Sequence, residues 1–265
     1  MAVKISLIGT WIIVENAEEH FTELGKLMSY SYVKFLRSSW PKSQQVVTIP
    51  KKCYIIEKDS QNRRRLVCKS GFLNRILRYF QSCNIPYEIY DTIDPDSETF
   101  TVDRRFLDQV QYRPYQRECI DTILRNRSGL IQAATGLGKT FIIGVLARAW
   151  IKAKILIITR SREVLQGIVR ECEKYGVDCG IITGGVYEPK RVTACTAASL
   201  HKCEFDADIV LADECHELVT PQTLPHLYRF SHARMFGFSA TINTRADNAH
   251  FHLYEIFGEV IYKVP

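Results

Sequence analysis

The chain has 265 residues, 46% of them hydrophobic and 24% charged, and its 35 Lys and Arg against 29 Asp and Glu give a net charge of +6. At roughly 150 residues per domain that length holds one to two domains, and the composition is that of a globular chain, which excludes disorder, collagen and coiled coil. The longest clean apolar run, Phe141 to Ala147, falls far short of the roughly 18 residues a spanning helix needs, so no membrane association is expected. Nine cysteines, odd in number and never in CxxC spacing, predict reduced thiols in a cytoplasmic protein rather than a disulfide framework or a zinc site.

At the N-terminus, Lys4, the apolar stretch Ile5 to Val14 and Ala17 imitate a signal peptide. Gly9-Thr10 splits that stretch, however, into two β-like runs, Val3 to Ile8 and Trp11 to Glu15, as in a hairpin. Phe21, Leu24, Leu27, Met28, Val33 and Leu36 recur at helical spacing and predict a helix over 21–36; Phe72, Leu73, Ile76, Leu77 and Phe80 predict a second. With β-like runs at Gln45 to Ile49, Cys53 to Glu57, Leu66 to Lys69 and Tyr87 to Tyr90, residues 1–95 read as a small α+β domain.

The charge of this domain is local. Residues 26–85 hold 13 Lys and Arg against two acids, Glu57 and Asp59, while the rest of the chain is net acidic. Interleaved with Tyr30, Tyr32, Phe35, Trp40, Tyr54, Phe72, Tyr79 and Phe80, these cations have the footprint of a surface that tracks phosphates. Lys51, Lys52, Arg63, Arg64 and Arg65 are the candidate contacts. A solvated basic face over an aromatic core, or an anionic lipid or protein partner, fits the same composition.

Asp91, Asp94, Pro95, Asp96, Ser97 and Glu98 make an acidic, turn-rich stretch, and residues 96–111 are assigned as an acidic linker. From residue 112 strands and helices alternate: a helix after Pro114, then Gly129 to Ala133 (strand), Lys139 to Trp150 (helix), Ala153 to Ile158 (strand), Ser161 to Tyr175 (helix) and Cys179 to Thr183 (strand). Arg191 to Thr196, Asp208 to Ala212 and Arg234 to Ser239 are further strands, with helices near 222–230 and 247–257. Apolar runs such as Ile155 to Ile158 suit strands buried on both faces, so residues 112–265 are expected to be an α/β, doubly wound parallel sheet.

Ala133-Ala134-Thr135-Gly136-Leu137-Gly138-Lys139-Thr140 matches the phosphate loop GxxxxGK[ST] except that Ala133 replaces the first glycine. Its glycines let backbone N–H groups cradle phosphates, Lys139 reaches the β and γ oxygens, and the Thr140 hydroxyl suits Mg²⁺. The loop opens a helix whose N-terminal dipole favours an anion. Downstream, the apolar strand Ile209 to Ala212 delivers Asp213 and Glu214 at its carboxyl end, where open α/β sheets bind ligands. Asp213 is assigned to the Mg²⁺ shell and Glu214 to the attacking water.

Arg113-Pro114-Tyr115-Gln116, the loop ending Gly138-Lys139-Thr140, Asp213-Glu214-Cys215-His216 and Ser239-Ala240-Thr241 follow one another in the order seen in superfamily 2 helicases of the DExH type, and residues 112–265 resemble that family. The resemblance implies a RecA-like lobe using ATP and Mg²⁺. It implies that Arg113 and Gln116 contact adenine, that His216, Ser239 and Thr241 couple hydrolysis to nucleic acid, and that Arg160, Ser161, Arg162, Thr196 and Ser199 contact the nucleic-acid backbone. Arg160 stands where many members carry Pro-Thr. More narrowly, the small basic domain, the acidic linker and the closing Glu255-Ile256-Phe257-Gly258-Glu259-Val260 resemble the UvsW helicases of tailed phages. That implies remodelling of branched or duplex DNA, or of an RNA–DNA hybrid, in the host cytoplasm. The residues after Lys139 suffice for the rest of one lobe, so a second RecA-like lobe is expected outside this chain. Two rivals share parts of the pattern. One is the motor subunit of an ATP-dependent restriction nuclease, although residues 1–110 hold no PD…(D/E)xK arrangement; the other is a non-catalytic nucleic-acid-binding module.

Overall fold

The structure is a computed structural model that describes residues 2–9, 11–37, 44–91, 98–134, 136–230, 232–242 and 251–264, with the backbone alone for 32–37 and 44–49. Thr135, Trp40, Lys42, most of the acidic stretch (92–97) and the start of the helix expected near 247–257 lie outside these residues.

Strict alternation in Val3–Ile8 (β1) and Trp11–Glu15 (β2) buries Val3, Ile5, Leu7, Ile12 and Val14 on one side of the predicted hairpin. Phe21–Leu27 (α1) follows, then Ser29–Arg37 (β3), Gln44–Lys52 (β4), Tyr54–Lys58 (β5), Arg64–Lys69 (β6), Leu73–Ser82 (α2) and Tyr87–Asp91 (β7). Five strands form a sheet in the order β5-β6-β2-β1-β7, antiparallel except for β1 with β7. Phe21 and Leu24 of α1, with Ile76 and Phe80 of α2, close its inner face. The helix expected over 21–36 ends at Leu27, where the Met28 N–H bonds back to the Gly25 carbonyl. Tyr30, Tyr32, Val33 and Phe35 have the branched and aromatic character of strands, and pairing with β4 over nine residues overrides the helical count at Val33 and Leu36.

The second half runs Arg104–Gln109 (α3), Pro114–Arg125 (α4), Ser128–Gln132 (β8), Lys139–Ala149 (α5), Ile155–Thr159 (β9), Arg162–Lys174 (α6), Cys179–Thr183 (β10), Val186–Glu188 (β11), Val192–Thr196 (β12), Ile209–Ala212 (β13), Leu224–Leu227 (α7), Arg234–Ser239 (β14), Phe251–Phe257 (α8) and Val260–Lys263 (β15). Its sheet has the order β11-β10-β12-β9-β13-β14-β8-β15 and is parallel except for the edge hairpin β10–β11. Ile155 and Ile157 of β9 enter one core with α3 to α6, and Leu156 and Ile158 enter the other with α7 and α8. Two-sided burial is what the uninterrupted apolar runs require.

Residues 96–111 depart from the linker reading. Asp103 accepts the Phe106 N–H and caps α3, whose Leu107 is fully buried in the core shared with α4 and α5. Five apolar residues, Phe100, Val102, Phe106, Leu107 and Val110, anchor a stretch whose charged neighbours read as a tether. No described helix is long and apolar enough to cross a membrane.

α8 joins the two halves. Phe251 stacks on Tyr30 with ring centroids 4.7 Å apart and lies 5.8 Å from Phe72. Arg75 of α2 pairs with Glu259, and Arg127 pairs with Asp91. At Gly71 the backbones approach so closely that a Cβ would sit 2.5 Å from the Glu255 carbonyl oxygen and closer still to that of Tyr254. Gly71→Ala is therefore expected to force the halves apart at a cost of about 1–3 kcal/mol, the range for overpacking a filled site. Urea unfolding of the two proteins checks this; an unchanged midpoint would contradict the close approach.

Candidate active site

β8 runs out of the sheet into the glycine-rich loop, and β14 holds the loop down: the Ala133 N–H donates to the Ser239 carbonyl at 2.9 Å. Ala133 is 2% exposed and its methyl belongs to the core, which accounts for alanine where the pattern has glycine. Gly136 and Gly138 have φ of +86° and +81°, left-handed conformations that glycine adopts without strain. Gly138 is also confined by Gln116, whose Nε2 lies 2.6 Å from where a Cβ would stand. Gln116 in turn accepts the Arg113 N–H on Oε1 at 3.0 Å. Tyr115 donates to the Leu137 carbonyl at 3.1 Å and accepts from Arg113 at the same distance. The first turn of α4 thus grips the loop directly, and Tyr115, which sequence reasoning passed over between Arg113 and Gln116, makes the grip.

Lys139 opens α5 with only 7% of its surface exposed. Its ammonium pairs with Glu214 and stands 3.9 Å from Asp213 Oδ1. Glu214 reaches it from a left-handed backbone, φ +46°, a conformation unusual for a residue with a side chain and one that clusters at functional sites. Burial pushes the Asp213 carboxyl above the usual carboxylate range, against the opposing pull of Lys139. Asp213 Oδ1 is buried with no hydrogen-bond partner. An orphaned carboxylate oxygen beside an ammonium, with the Thr140 hydroxyl on the first turn of α5, is an oxygen donor set of the kind that Mg²⁺ takes.

The remaining motif residues form a chain leading away from this cluster. His216 Nδ1 lies 3.5 Å from Glu214 Oε2 and 2.8 Å from Ser239 Oγ, and Ser239 Oγ accepts the Thr241 N–H at 3.0 Å. His216 Nε2 lies 3.9 Å from Glu217, which holds Arg160 at 2.7 Å. Glu217 was missed in the sequence; its place directly after His216 is the only local signal for this link.

Arg160, Ser161, Arg162, Thr196 and Ser199 gather at the carboxyl ends of β9 and β12, whose last residues, Thr159 and Thr196, are paired in register. Arg160 and Arg162 are exposed, and Arg162 donates to the Gly184 carbonyl at 3.2 Å. Ser161 caps α6 by accepting the Val164 N–H. Thr196 and Ser199 differ from expectation. They are 4% and 5% exposed and their hydroxyls bond to each other at 3.0 Å, so neither hydroxyl faces outward. The basic residues of the N-terminal half lie on other strands. Arg63 is held twice by Asp59 at 2.8 Å, and Arg65 by Glu57 at 2.7 and 2.6 Å. Arg64 is exposed, Lys52 lies over the Tyr54 ring, and Lys51 reaches His252 Nε2 at 3.2 Å inside the seam between the halves.

Residues 109–244 match the family described as Type III restriction enzyme, res subunit. DNA 3'-5' translocase XPB2 from Sulfurisphaera tokodaii is 26% identical over 162 residues, 59% of this chain, and the chain spans 36% of that relative's length. Among solved structures, that of the UvsW helicase from Bacteriophage T4 is similar with a TM-score of 0.70 at 17% identity, over 99% of this chain and 100% of the other. A second T4 UvsW structure gives 0.69 at 18% identity, covering 99% of this chain and 57% of the other. At such identities the likeness bears on the fold, and it extends through the N-terminal sheet as well as the RecA-like lobe. With more than half its length inside the match, the chain belongs to the Type III restriction enzyme res-subunit family and, through it, to the superfamily 2 helicases and translocases.

Proposed function

We propose that this chain is the ATP-binding part of a motor that couples ATP hydrolysis to remodelling of branched DNA, including Holliday junctions, forks and R-loops, in recombination and repair. The observation that carries the ATPase reading is the buried cluster of Lys139, Asp213 and Glu214 at the mouth of a helix N-terminus. Lys139 would exchange Glu214 for the β and γ phosphates, and Glu214, so released, would accept the proton of the attacking water. Asp213 and Thr140 would hold Mg²⁺, which supplies charge neutralisation between the phosphates. Arg113, Gln116 and Tyr115 would frame the base. The chain His216–Ser239–Thr241, with Glu217 and Arg160 beside it, would relate the state of the phosphate site to the nucleic acid on the rim of β9 and β12.

Completion of the site by an arginine from a second RecA-like lobe belongs to the same reading, as do a tailed-phage source and the reducing host cytoplasm. The likeness in fold to the T4 UvsW helicase over 99% of the chain agrees with a helicase motor, and the branched-DNA substrate is what the resemblance to the UvsW helicases implies. The family description favours a second reading, the motor of a restriction nuclease, which would be stimulated by linear duplex. ATPase of the two-lobed protein with single-stranded, duplex, forked and four-way DNA and with RNA–DNA hybrid separates the two, because only the first reading expects forks and four-way junctions to stimulate beyond linear duplex.

Lys139→Ala in that protein should lower kcat at least about tenfold, a loss of about 1.4 kcal/mol or more in transition-state stabilisation. Its DNA affinity without nucleotide should stay unchanged, and a smaller loss of turnover would remove the phosphate role from this loop. Glu214→Gln and Asp213→Asn should part company. The first is expected to keep Mg-ATP bound while stopping hydrolysis, since an amide cannot accept the proton; the second should weaken nucleotide binding in the presence of Mg²⁺. Equal losses of nucleotide affinity in the two variants would refute this division of labour.

A further inference from the structure

Arg160 and Glu217 come from neighbouring strands. β9 and β13 pair in register as far as Ile158 with Ala212, and past that pair the Asp213 N–H donates to the Ile158 carbonyl at 2.8 Å. Arg160 therefore leaves the end of β9 beside the short turn Cys215–Glu217 that follows Asp213 and Glu214. The backbone of that turn is tied to the phosphate site, because the Glu217 N–H donates to the Glu214 carbonyl at 2.9 Å. The Glu217 carboxylate is divided. Its Oε1 accepts from Arg160 Nη1 at 2.7 Å and lies 3.9 Å from His216 Nε2, whereas Oε2 is buried with no hydrogen-bond partner. A carboxylate oxygen shut away without a donor is costly, and among the described residues Arg160 gives the one hydrogen bond that this side chain accepts.

The arginine faces the other way. Its side chain is 71% exposed on the rim where β9 and β12 end, next to Ser161 and Arg162. Arg162 differs in its partner: it donates to the neutral Gly184 carbonyl, and among the described residues no carboxylate pairs with it. We propose that Glu217 is a positioning residue for nucleic acid, holding Arg160 against the lobe so that a backbone phosphate binds there only by taking the arginine from it. Phosphate and carboxylate offer a guanidinium the same kind of paired acceptor oxygens, and an ion pair this exposed adds little to stability. The exchange is therefore close to balanced, which suits a motor that must let go of its strand in every cycle. Once Arg160 is taken, the Glu217 carboxylate is left facing His216 Nε2, at one end of the chain that runs through Ser239 to Thr241 and passes Glu214. The inference rests on the nucleic-acid reading of this rim given above and adds the residue that governs it.

The test measures binding of this chain to a single-stranded DNA oligonucleotide over a range of salt, without nucleotide. Glu217→Gln should raise affinity about two- to fivefold at 0.1 M salt and steepen the slope of log K against log salt by up to about 0.7, the release expected for one further phosphate contact on a single strand. Misfolding cannot produce a gain of affinity. In a chain that already carries Arg160→Gln, adding Glu217→Gln should change neither affinity nor slope, so the two substitutions are strongly non-additive. Unchanged affinity in Glu217→Gln would overturn the proposal. An equal gain with Arg160 already removed would overturn it too, because Glu217 would then act only as a nearby negative charge; both results leave the nucleic-acid reading of the rim in place. Failure of the parent to bind DNA even at low salt would instead strike that reading itself and this proposal with it, leaving the ATPase reading to stand or fall on Lys139→Ala.

Discussion

An ammonium and a carboxylate withdrawn from water at the carboxyl ends of two parallel strands, with a second, partly exposed carboxylate beside them, set the terms for the lobe around them. Lys139 and Asp213 are 7% and 6% exposed, and removing one ion from water costs several kcal/mol unless a counter-charge stands close. Glu214 supplies that counter-charge only by adopting a left-handed backbone, a strain of order 1–3 kcal/mol. The loop glycines, the Gln116 side chain against Gly138 and the Ala133 bond to β14 then hold the lysine where both carboxylates can reach it. A cluster so confined, with one carboxylate oxygen left without a partner, is poorly satisfied on its own terms. Phosphates and a hard cation would satisfy it better, which is the physical reason to read it as a nucleotide site rather than a structural ion pair.

The second constraint is α8, a helix of seven residues with work on both sides. Leu253, Ile256 and Phe257 face the sheet of the lobe, while Phe251, His252, Tyr254 and Glu255 face the N-terminal half. Burial, seconded by the charge of Glu255, pushes the Cys53 thiol up to about 12 and raises the Tyr228 hydroxyl as well. Lys69, 7% exposed, offsets that charge from between the Trp11 and Tyr228 rings at 3.5 and 4.5 Å, a cation placed over aromatic faces. The seam is polar at its centre and aromatic around it, so it specifies one relative placement of the two halves where an apolar seam would tolerate sliding.

What the sequence made legible follows from how local each signal is. Parallel strands buried on both faces read as apolar runs, and β9, β10, β13 and β14 lie within two residues of expectation. The phosphate loop and Asp213-Glu214 were legible because backbone conformation, charge and spacing coincide within eight residues and at one strand end. Long-range pairing was not. Val33 and Leu36 satisfy a helical count until β4 is known to lie opposite, and nothing local marks Val260 to Lys263 as a strand until β8 lies beside it. Inward-turned hydroxyls at Thr196 and Ser199, and carboxylates answering Arg63 and Arg65, are likewise side-chain directions that composition does not encode.

That distinction bears on how the basic segment should be understood. Counted along the chain, residues 26–85 are strongly positive, and the surplus appears uniform. The fold divides it. Arg63 and Arg65 are answered within their own hairpin, Arg75 and Arg78 share Glu259 of the lobe, and Lys51 and Lys69 are spent in the seam. Ion pairs on exposed side chains are worth little to stability, yet each carboxylate so placed lowers the local potential that a phosphate would meet within a Debye length of about 10 Å at 0.1 M salt. A net charge counted along the chain therefore overstates the positive surface left unopposed in the fold. The same division argues against treating residues 1–95 as a self-sufficient binding unit, because Phe251 and Tyr254 pack against their core and Gly71 meets the α8 backbone. Without α8, Tyr30 of β3 would lose its stacking partner Phe251, and Tyr30 and Lys51 would both lose His252.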